Sequence, residues 1–177
     1  MISIGVDPDL HCTGMAIVQE HQVLSVAVAR VPKTLTGEKA VLAMVAEMKH
    51  QLVPLLAGGL HRTPHTAVIE GQQIYLKGLA KKDSILLLAQ VAGAAAALAT
   101  VMGCRKVYMP RPVDWKGSVP KPIHQERVLG RLGIESVRTK MGAVPRGDLS
   151  AIRGAEHLKP ADWLHVVDAI GLAVWGL

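Results

Sequence analysis

Four side chains that can bind metal ions or transfer protons stand where predicted strands end or on one face of a predicted helix. Asp7 closes the first predicted strand and Glu70 closes the fourth. His165 and Asp168 lie three residues apart on the last predicted helix, so they share a face. Three carboxylates and one imidazole make an oxygen-rich donor set, which favours Mg²⁺ or Mn²⁺ over structural zinc. A pair of such ions about 4 Å apart can polarise a phosphate, activate water and stabilise the leaving oxygen.

Each of these residues also has an ordinary structural explanation. Asp7 can start a turn, Glu70 can be a solvated strand end, and His165 can be a hydrogen-bonded, partly buried histidine. Asp168 is the hardest to explain in this way, because its neighbours along the helix are apolar and a charge there needs a partner or a metal ion. The ordinary explanation is the better one for each residue alone, whereas the four together favour a metal site.

The charge of the chain is unevenly distributed. The 177 residues carry a formal net charge of +6, and residues 77–159 contain 15 Lys and Arg against 6 Asp and Glu. Residues 1–76 and 160–177 are slightly acidic by comparison. A basic middle between more acidic ends indicates a polyanionic partner held against a few carboxylates. A merely soluble basic surface explains the charge equally well.

Cysteine usage and the N-terminal sequence indicate a cytoplasmic protein, in the host cytoplasm if a phage encodes it. Cys12 and Cys104 have no CxxC spacing, which is typical of reduced thiols. The chain opens directly on the strand-like segment Ile2–Val6, so we predict no signal peptide. The apolar stretch Ile85–Gly103 is long enough to raise the question of a membrane. Its richness in Ala and Gly favours a buried helix, and we expect no membrane partner.

The predicted elements begin as a β-meander and continue as alternating helices and strands. The predicted strands are Ile2–Asp7, Met15–Val18, Val23–Val31, Thr66–Glu70 and Arg105–Met109. The predicted helices are Gly37–Leu56, Lys81–Met102, Pro122 to about Leu132, and Ala161–Leu177. Arg111–Lys121 is predicted to be a basic loop, and Gly133–Lys159 an irregular basic segment. This order predicts an α/β domain with a mixed sheet flanked by helices.

The predicted helix Lys81–Met102 carries small residues on one face. Ala89, Gly93 and Ala97 are spaced by four, which permits another backbone to approach closely. That face either packs on the sheet or forms the seam of a dimer.

Three sequence segments resemble RuvC-like Holliday-junction resolvases of the ribonuclease H-like superfamily. The resemblance implies that the chain is a phage-type or otherwise divergent member. Ile4-Gly5-Val6-Asp7-Pro8 followed by Thr13-Gly14-Met15-Ala16-Ile17 resembles the family's opening. Val68-Ile69-Glu70 resembles its second acidic strand, and the segment from His165 to Ala173 resembles its closing helix. The segments stand in the family's order and span nearly the whole chain. The first segment alone is also similar to the opening of sugar kinases and other actin-like ATPases.

The resemblance implies a fold and a catalytic centre. The fold would be α/β and ribonuclease H-like, with a mixed five-stranded sheet of three antiparallel and then two parallel strands, in one domain of residues 1–177. Asp7, Glu70, His165 and Asp168 would be the catalytic metal ligands for a pair of Mg²⁺ ions, with Mn²⁺ as a substitute. Asp7 would bridge both ions, Glu70 and Asp168 would each hold one, and His165 would either bind metal or orient the attacking water. Asp162, three residues before His165, is better explained as a helix-cap residue.

The resemblance also implies contacts with DNA. Lys116 and Lys121 would contact phosphate near the active site, although a solvated loop is an equal alternative. Tyr75 would stack on bases, but it lies further from Glu70 than the family's spacing allows, and a core or surface tyrosine is equally compatible. The remaining predicted contacts are Arg111, Arg138, Lys140 and Arg146, the last three within an added lobe or flap at residues 133–159.

One position departs from the family pattern. Asp9 stands where the family usually has glycine, and it is either an outer group of the metal site or, as we favour, a turn residue.

The expected function is the resolution of four-way DNA junctions by a homodimer, which pairs through the helix at residues 81–102 and makes two symmetric nicks. Three alternatives remain open. A related endonuclease would act on flaps, D-loops or replication intermediates. An actin-like ATPase or sugar kinase would need further Gly-rich phosphate loops and usually a longer chain. A DNA-binding module on a decayed nuclease fold would not need all four ligands.

Overall fold

The computed structural model describes residues 1–57, 64–71 and 82–177, without the side chains at 55–57, 82 and 83. Its strands are β1 (Ile2–Asp7), β2 (Cys12–Gln19), β3 (Gln22–Arg30), β4 (Thr66–Ile69), β5 (Lys106–Tyr108), β6 (Ser136–Arg138) and β7 (Ala143–Pro145). Its α-helices are α1 (Gly37–Ala57), α2 (Lys82–Val101), α3 (Pro112–Lys116), α4 (Lys121–Arg131) and α5 (Trp163–Trp175). A 3₁₀ turn, Ala155–His157, precedes α5.

The main sheet has five strands in the order β3-β2-β1-β4-β5. Strands β1, β2 and β3 are antiparallel neighbours, and β4 and β5 run parallel to β1. Three antiparallel strands followed by two parallel ones confirm the predicted fold class. Val6 pairs with Ile69, and the Glu70 amide donates to the Val6 carbonyl at 3.0 Å. The register therefore brings Asp7 and Glu70 side by side at the carboxyl ends of β1 and β4.

The two faces of the sheet carry side chains of different size. Large apolar side chains of β1 and β2, such as Ile4, Met15 and Ile17, pack with α1 and α2. Small residues, including Gly5, Gly14 and Ala16, face α5. Because successive side chains of a strand point to opposite faces, this alternation sorts the large groups to one side and lets a helix lie close on the other.

Helix α5 lies directly on the backbones of β1 and β2 because two glycines make room for it. A Cβ atom at Gly5 would lie 1.8 Å from the carbonyl oxygen of Ala169. A Cβ atom at Gly14 would lie 2.4 Å from the carbonyl oxygen of His165. No side chain fits in either gap, so these strands specify where the helix that carries His165 and Asp168 must lie.

The prediction of a loop from Arg111 to Lys121 was wrong, because this segment contains helix α3. Pro112 occupies the first turn, where a missing amide proton costs nothing. The Asp114 carboxylate accepts a hydrogen bond from the Arg111 amide at 2.9 Å and so satisfies a free donor at the start of the helix.

The segment 133–159 is more ordered than predicted. Strands β6 and β7 form an antiparallel hairpin, with Val137 paired to Val144. Further along, the Val26 amide donates to the Arg153 carbonyl at 2.9 Å, and the Arg153 amide donates to the Leu24 carbonyl at 3.2 Å. The lobe of residues 133–159 is thus fastened to the outer edge of β3.

Helix α2 is only partly buried, which corrects the prediction of a buried helix. Its inner face packs into the core through Val91, Ala92, Ala95 and Ala99. Ala89, Gly93 and Ala97 are exposed, so the small-residue face does not pack on the sheet. The window Ser84–Val101 has a mean hydropathy of 2.0 with 22% of it buried, and by length and composition alone it could cross a membrane.

Candidate active site

Asp7 and His165 meet at the contact between β1 and α5. Asp7 is buried, and its Oδ2 lies 3.1 Å from His165 Nδ1. Burial raises the pKa of Asp7, the hydrogen bond with His165 lowers it, and the charges of Asp168 and Glu70 raise it further. Hydrogen bonds with Asp7 and Cys12 raise the pKa of His165. The charges of Glu70 and Asp168 therefore act on Asp7 in addition to its burial.

Glu70 follows the last residue of β4 and is held by helix α3. Its Oε1 accepts hydrogen bonds from Trp115 Nε1 at 3.1 Å and from Lys116 Nζ at 2.8 Å. The Lys116 ammonium also lies 4.9 Å from the centre of the Trp115 ring, within the range of a cation–π interaction. The helix that the sequence analysis missed is thus the element that orients Glu70.

Asp168 is almost completely buried on α5 and has two partners on α4. Its Oδ2 lies 2.6 Å from Lys121 Nζ, and its Oδ1 accepts a hydrogen bond from Gln125 Nε2 at 2.9 Å. Burial acts to lower the pKa of Lys121, but the charges of Asp168, Asp7 and Glu70 raise it overall. The Lys121 ammonium therefore interacts with all three carboxylates.

The donor set fits a divalent cation, although it is not arranged as a finished ligand shell. Among residues 1–57, 64–71 and 82–177, no group of three His, Cys, Asp or Glu side chains is placed to hold an ion. The Lys116 and Lys121 ammonium groups instead balance Glu70 and Asp168. A cation among these side chains would offset the repulsion that Glu70 and Asp168 exert on Asp7, and oxygen ligands of this kind suit Mg²⁺.

Two further acidic residues of the sequence analysis serve structural roles. Asp162 is the N-cap residue of α5, and its carboxylate pairs with the Arg30 guanidinium and accepts the Lys159 amide. The Oδ1 of Asp9 accepts hydrogen bonds from the amides of His11 at 2.9 Å and Cys12 at 3.2 Å. Asp9 is thus a turn residue, and Asp162 holds the start of α5 against β3.

Of the predicted DNA-contacting residues that the structure describes, Lys116 and Lys121 pair with the carboxylates of Glu70 and Asp168. Arg111 forms an ion pair with Asp114 at 2.9 Å. Arg138 pairs with Glu126 across α4 and β6. The other two predicted DNA-contacting residues that the structure describes, Lys140 and Arg146, are both exposed. The prediction for Tyr75 lies outside the described residues.

Among the residues that contact the site, Trp115 and Gln125 escaped the sequence analysis although each carries a recognisable signal. Trp115 lies in the segment interpreted as a loop, where Pro112 and Asp114 give the usual signals of a helix start. Gln125 shares the buried face of α4 with Val128 and Leu129, and a polar residue in such a stripe is the available signal.

The sheet order and the position of α5 define the ribonuclease H-like class of folds. Within it, the chain is similar to Thermus thermophilus RuvC in complex with a Holliday junction substrate, with a TM-score of 0.67 and 18% identity over 99% of this chain and 92% of that chain. A second T. thermophilus RuvC structure gives a TM-score of 0.61 and 19% identity, with the same coverage. No protein-family model and no curated protein sequence matches. The chain therefore has the fold of RuvC.

Proposed function

We propose that residues 1–177 form one nuclease domain, with a lobe at 133–159, that hydrolyses phosphodiester bonds of branched DNA, and four-way junctions in particular. The observation that carries this proposal is that Asp7 and Glu70 end neighbouring strands and His165, on the helix that also carries Asp168, is hydrogen-bonded to Asp7. One of the proteins with this fold was solved with a Holliday junction substrate. We place this enzyme in the cytoplasm, of the host if a phage encodes it.

Asp7, Glu70, His165 and Asp168 would hold the metal ions, a pair of Mg²⁺ with Mn²⁺ as a substitute. Bound ions would lower the pKa of water and stabilise charge on the phosphate. Trp115 and Lys116 orient the Glu70 carboxylate, and the surroundings of Asp7 exclude bulk water. Burial strengthens the attraction of these carboxylates for a cation.

The basic residues around the site supply the contacts with the DNA backbone. Lys116 and Lys121 bring positive charge to the carboxylates, where a scissile phosphate must approach. Lys140 and Arg146 extend positive charge over the lobe, and both are exposed. Arg111, Arg138 and Tyr75 complete the proposed DNA-contacting set. Binding to such a surface should weaken steeply as salt rises.

The proposal predicts Mg²⁺-dependent cleavage that prefers four-way junctions. Labelled four-way, three-way, flap and linear duplex DNA should be incubated with the protein in Mg²⁺ or EDTA, and the products resolved on denaturing gels. We expect symmetric nicks near the branch point of the four-way junction and none in EDTA. Preferential cutting of flaps or three-way DNA would show that the preferred substrate is another branched DNA and not the four-way junction. No cutting of any branched DNA would refute the proposal.

We also propose that the protein pairs through α2. One face of this helix belongs to the core, whereas Leu86 is 63% exposed and Val101 is 84% exposed on the outside. An added Cβ atom at Gly93 would meet nothing within 4 Å, so the centre of this face is open within one chain. Exposed apolar surface next to small residues suits a close helix–helix contact. Two sites related by a twofold axis would then cut a junction symmetrically.

Ala97→Glu should convert the dimer to a monomer, because it places a charge in the middle of the proposed contact. Sedimentation velocity should show wild-type protein at twice the monomer mass and the variant at the monomer mass, with unchanged circular dichroism. The matched control is Leu177→Glu, an equal charge at an exposed apolar residue beyond α5. Wild-type protein that stays monomeric both alone and on junction DNA would refute this pairing. Wild-type protein that partitions into lipid vesicles as a monomer would refute it as well.

A further inference from the structure

Gln125 is a fully buried side chain on α4 that links three parts of the molecule. Its Nε2 donates to the Leu164 carbonyl at 2.8 Å and to Asp168 Oδ1 at 2.9 Å. Its Oε1 accepts a hydrogen bond from the Ala143 amide at 2.8 Å. The side chain thus joins the candidate catalytic carboxylate on α5 to strand β7 of the lobe.

The partners of Gln125 fix the direction of its amide group. The Ala143 amide can only donate and the Leu164 carbonyl can only accept, so the oxygen must face β7 and the nitrogen must face α5. The nitrogen therefore presents a donor to Asp168 Oδ1 and fixes the direction in which this carboxylate points. Asp168 Oδ2 faces Lys121 instead.

The lobe approaches this amide too closely to be independent of it. A Cβ atom at Gly142 would lie 2.2 Å from Gln125 Oε1 and 2.6 Å from Leu164 Cδ2. Gly142 ends a tight turn in which its carbonyl accepts hydrogen bonds from the Thr139 amide at 2.7 Å and hydroxyl at 2.8 Å. The same turn carries the exposed side chains of Lys140 and Met141. The turn and the amide therefore form one rigid connection.

We propose that Gln125 is a positioning residue that holds Asp168 for divalent metal binding and makes its position depend on the β6–β7 hairpin. This rests on the proposed function, since Asp168 is taken as a metal ligand. A partner that orients a metal ligand commonly contributes about 10- to 100-fold to metal affinity. The β6–β7 hairpin would therefore influence the metal site through the Gln125 side chain.

Gln125→Met tests the proposal because it keeps the volume of the side chain and removes the amide. Thermal unfolding in EDTA first establishes the temperature range in which the variant is folded. Mn²⁺ binding without DNA, followed by electron paramagnetic resonance, should then weaken about 10- to 100-fold, while junction binding in EDTA changes less than about twofold. Gln51→Met is the control, because the Gln51 amide donates to Glu47, a residue of α1 that is not a candidate ligand, and this variant should bind Mn²⁺ as wild type does.

Two further measurements cover the case in which Gln125→Met does not fold. Gly142→Ala adds a methyl group that collides with the same amide from the side of the lobe, and it leaves every candidate ligand in place. It should therefore also weaken Mn²⁺ binding. In the wild-type protein, the Gln125 side-chain amide protons should exchange slowly with water and shift when Mg²⁺ is added. Unchanged Mn²⁺ affinity in a folded Gln125→Met or Gly142→Ala protein, or no shift in the wild type, would overturn the proposal.

Failure of the proposed function would look different. Asp168→Asn serves as the reference, because it should weaken Mn²⁺ binding at least as much as Gln125→Met. Wild-type protein that binds Mn²⁺ through Asp168 yet cuts no branched DNA would refute the nuclease and leave the role of Gln125 standing. Active nuclease with Mn²⁺ binding unaffected by Gln125→Met would refute the role of Gln125 alone.

Discussion

Asp7→Asn should abolish Mg²⁺-dependent cleavage of four-way junctions and leave junction binding intact. The substitution keeps the shape of a buried side chain and removes a charge that Glu70 and Asp168 already oppose. Lost stabilisation of several kcal/mol in the transition state corresponds to a rate loss on the order of 10³-fold or more. Single-turnover cleavage measures the rate, and fluorescence anisotropy in EDTA measures binding.

Asp9→Asn is the matched control for this experiment. It removes a carboxylate two residues away, and the asparagine oxygen can still accept the amides of His11 and Cys12. We expect its cleavage rate to stay within about threefold of wild type, since exposed or turn substitutions have small effects. Cleavage by Asp7→Asn at the wild-type rate would refute the assigned site, whatever the control does.

Gly5→Ala should lower the free energy of unfolding by about 3 kcal/mol, the upper end of the usual cost of overpacking, because the contact is between backbones. The added Cβ atom would lie 1.8 Å from the Ala169 carbonyl oxygen and 2.7 Å from the Ala173 nitrogen. Both are backbone atoms of α5, so no side chain can rotate to make room. Urea unfolding followed by circular dichroism measures the change.

Gly130→Ala is the control for the glycine substitution. Gly130 lies on α4, is exposed, and an added Cβ atom meets nothing within 4 Å. Since alanine favours a helix over glycine by up to about 1 kcal/mol, we expect unchanged or slightly higher stability. A Gly5→Ala protein as stable as wild type would show that α5 does not lie on β1 as described.

The sheet and the convergence of its carboxylates were accessible from the sequence because each element carries a strong local pattern. Strands β1 and β4 are short apolar runs that end next to a carboxylate, and parallel neighbours place such ends together. Helix α5 is apolar except at a few positions, so His165 and Asp168 stood out. The family resemblance supplied the order in which these elements assemble.

Other features depend on tertiary contacts that no local pattern contains. Pro112 and Asp114 mark the start of helix α3, but its five residues are too few for a periodic apolar face, and its Trp115 contacts Glu70 from 45 positions away. Gln125 gains its role from Asp168 and from Ala143, which belong to other elements. Its place in the stripe with Val128 and Leu129 indicates that it is buried, but the partners that it meets there depend on the folded chain.

The attachment of residue 153 to β3 also determines how this protein can associate with others. An unpaired edge strand would offer its amides and carbonyls to any extended chain, which is a common route to fibrils and to edge-to-edge aggregation. Here the Val26 amide and the Leu24 carbonyl are already paired. That flank is closed to strand addition at these groups, and self-association there would have to involve side chains.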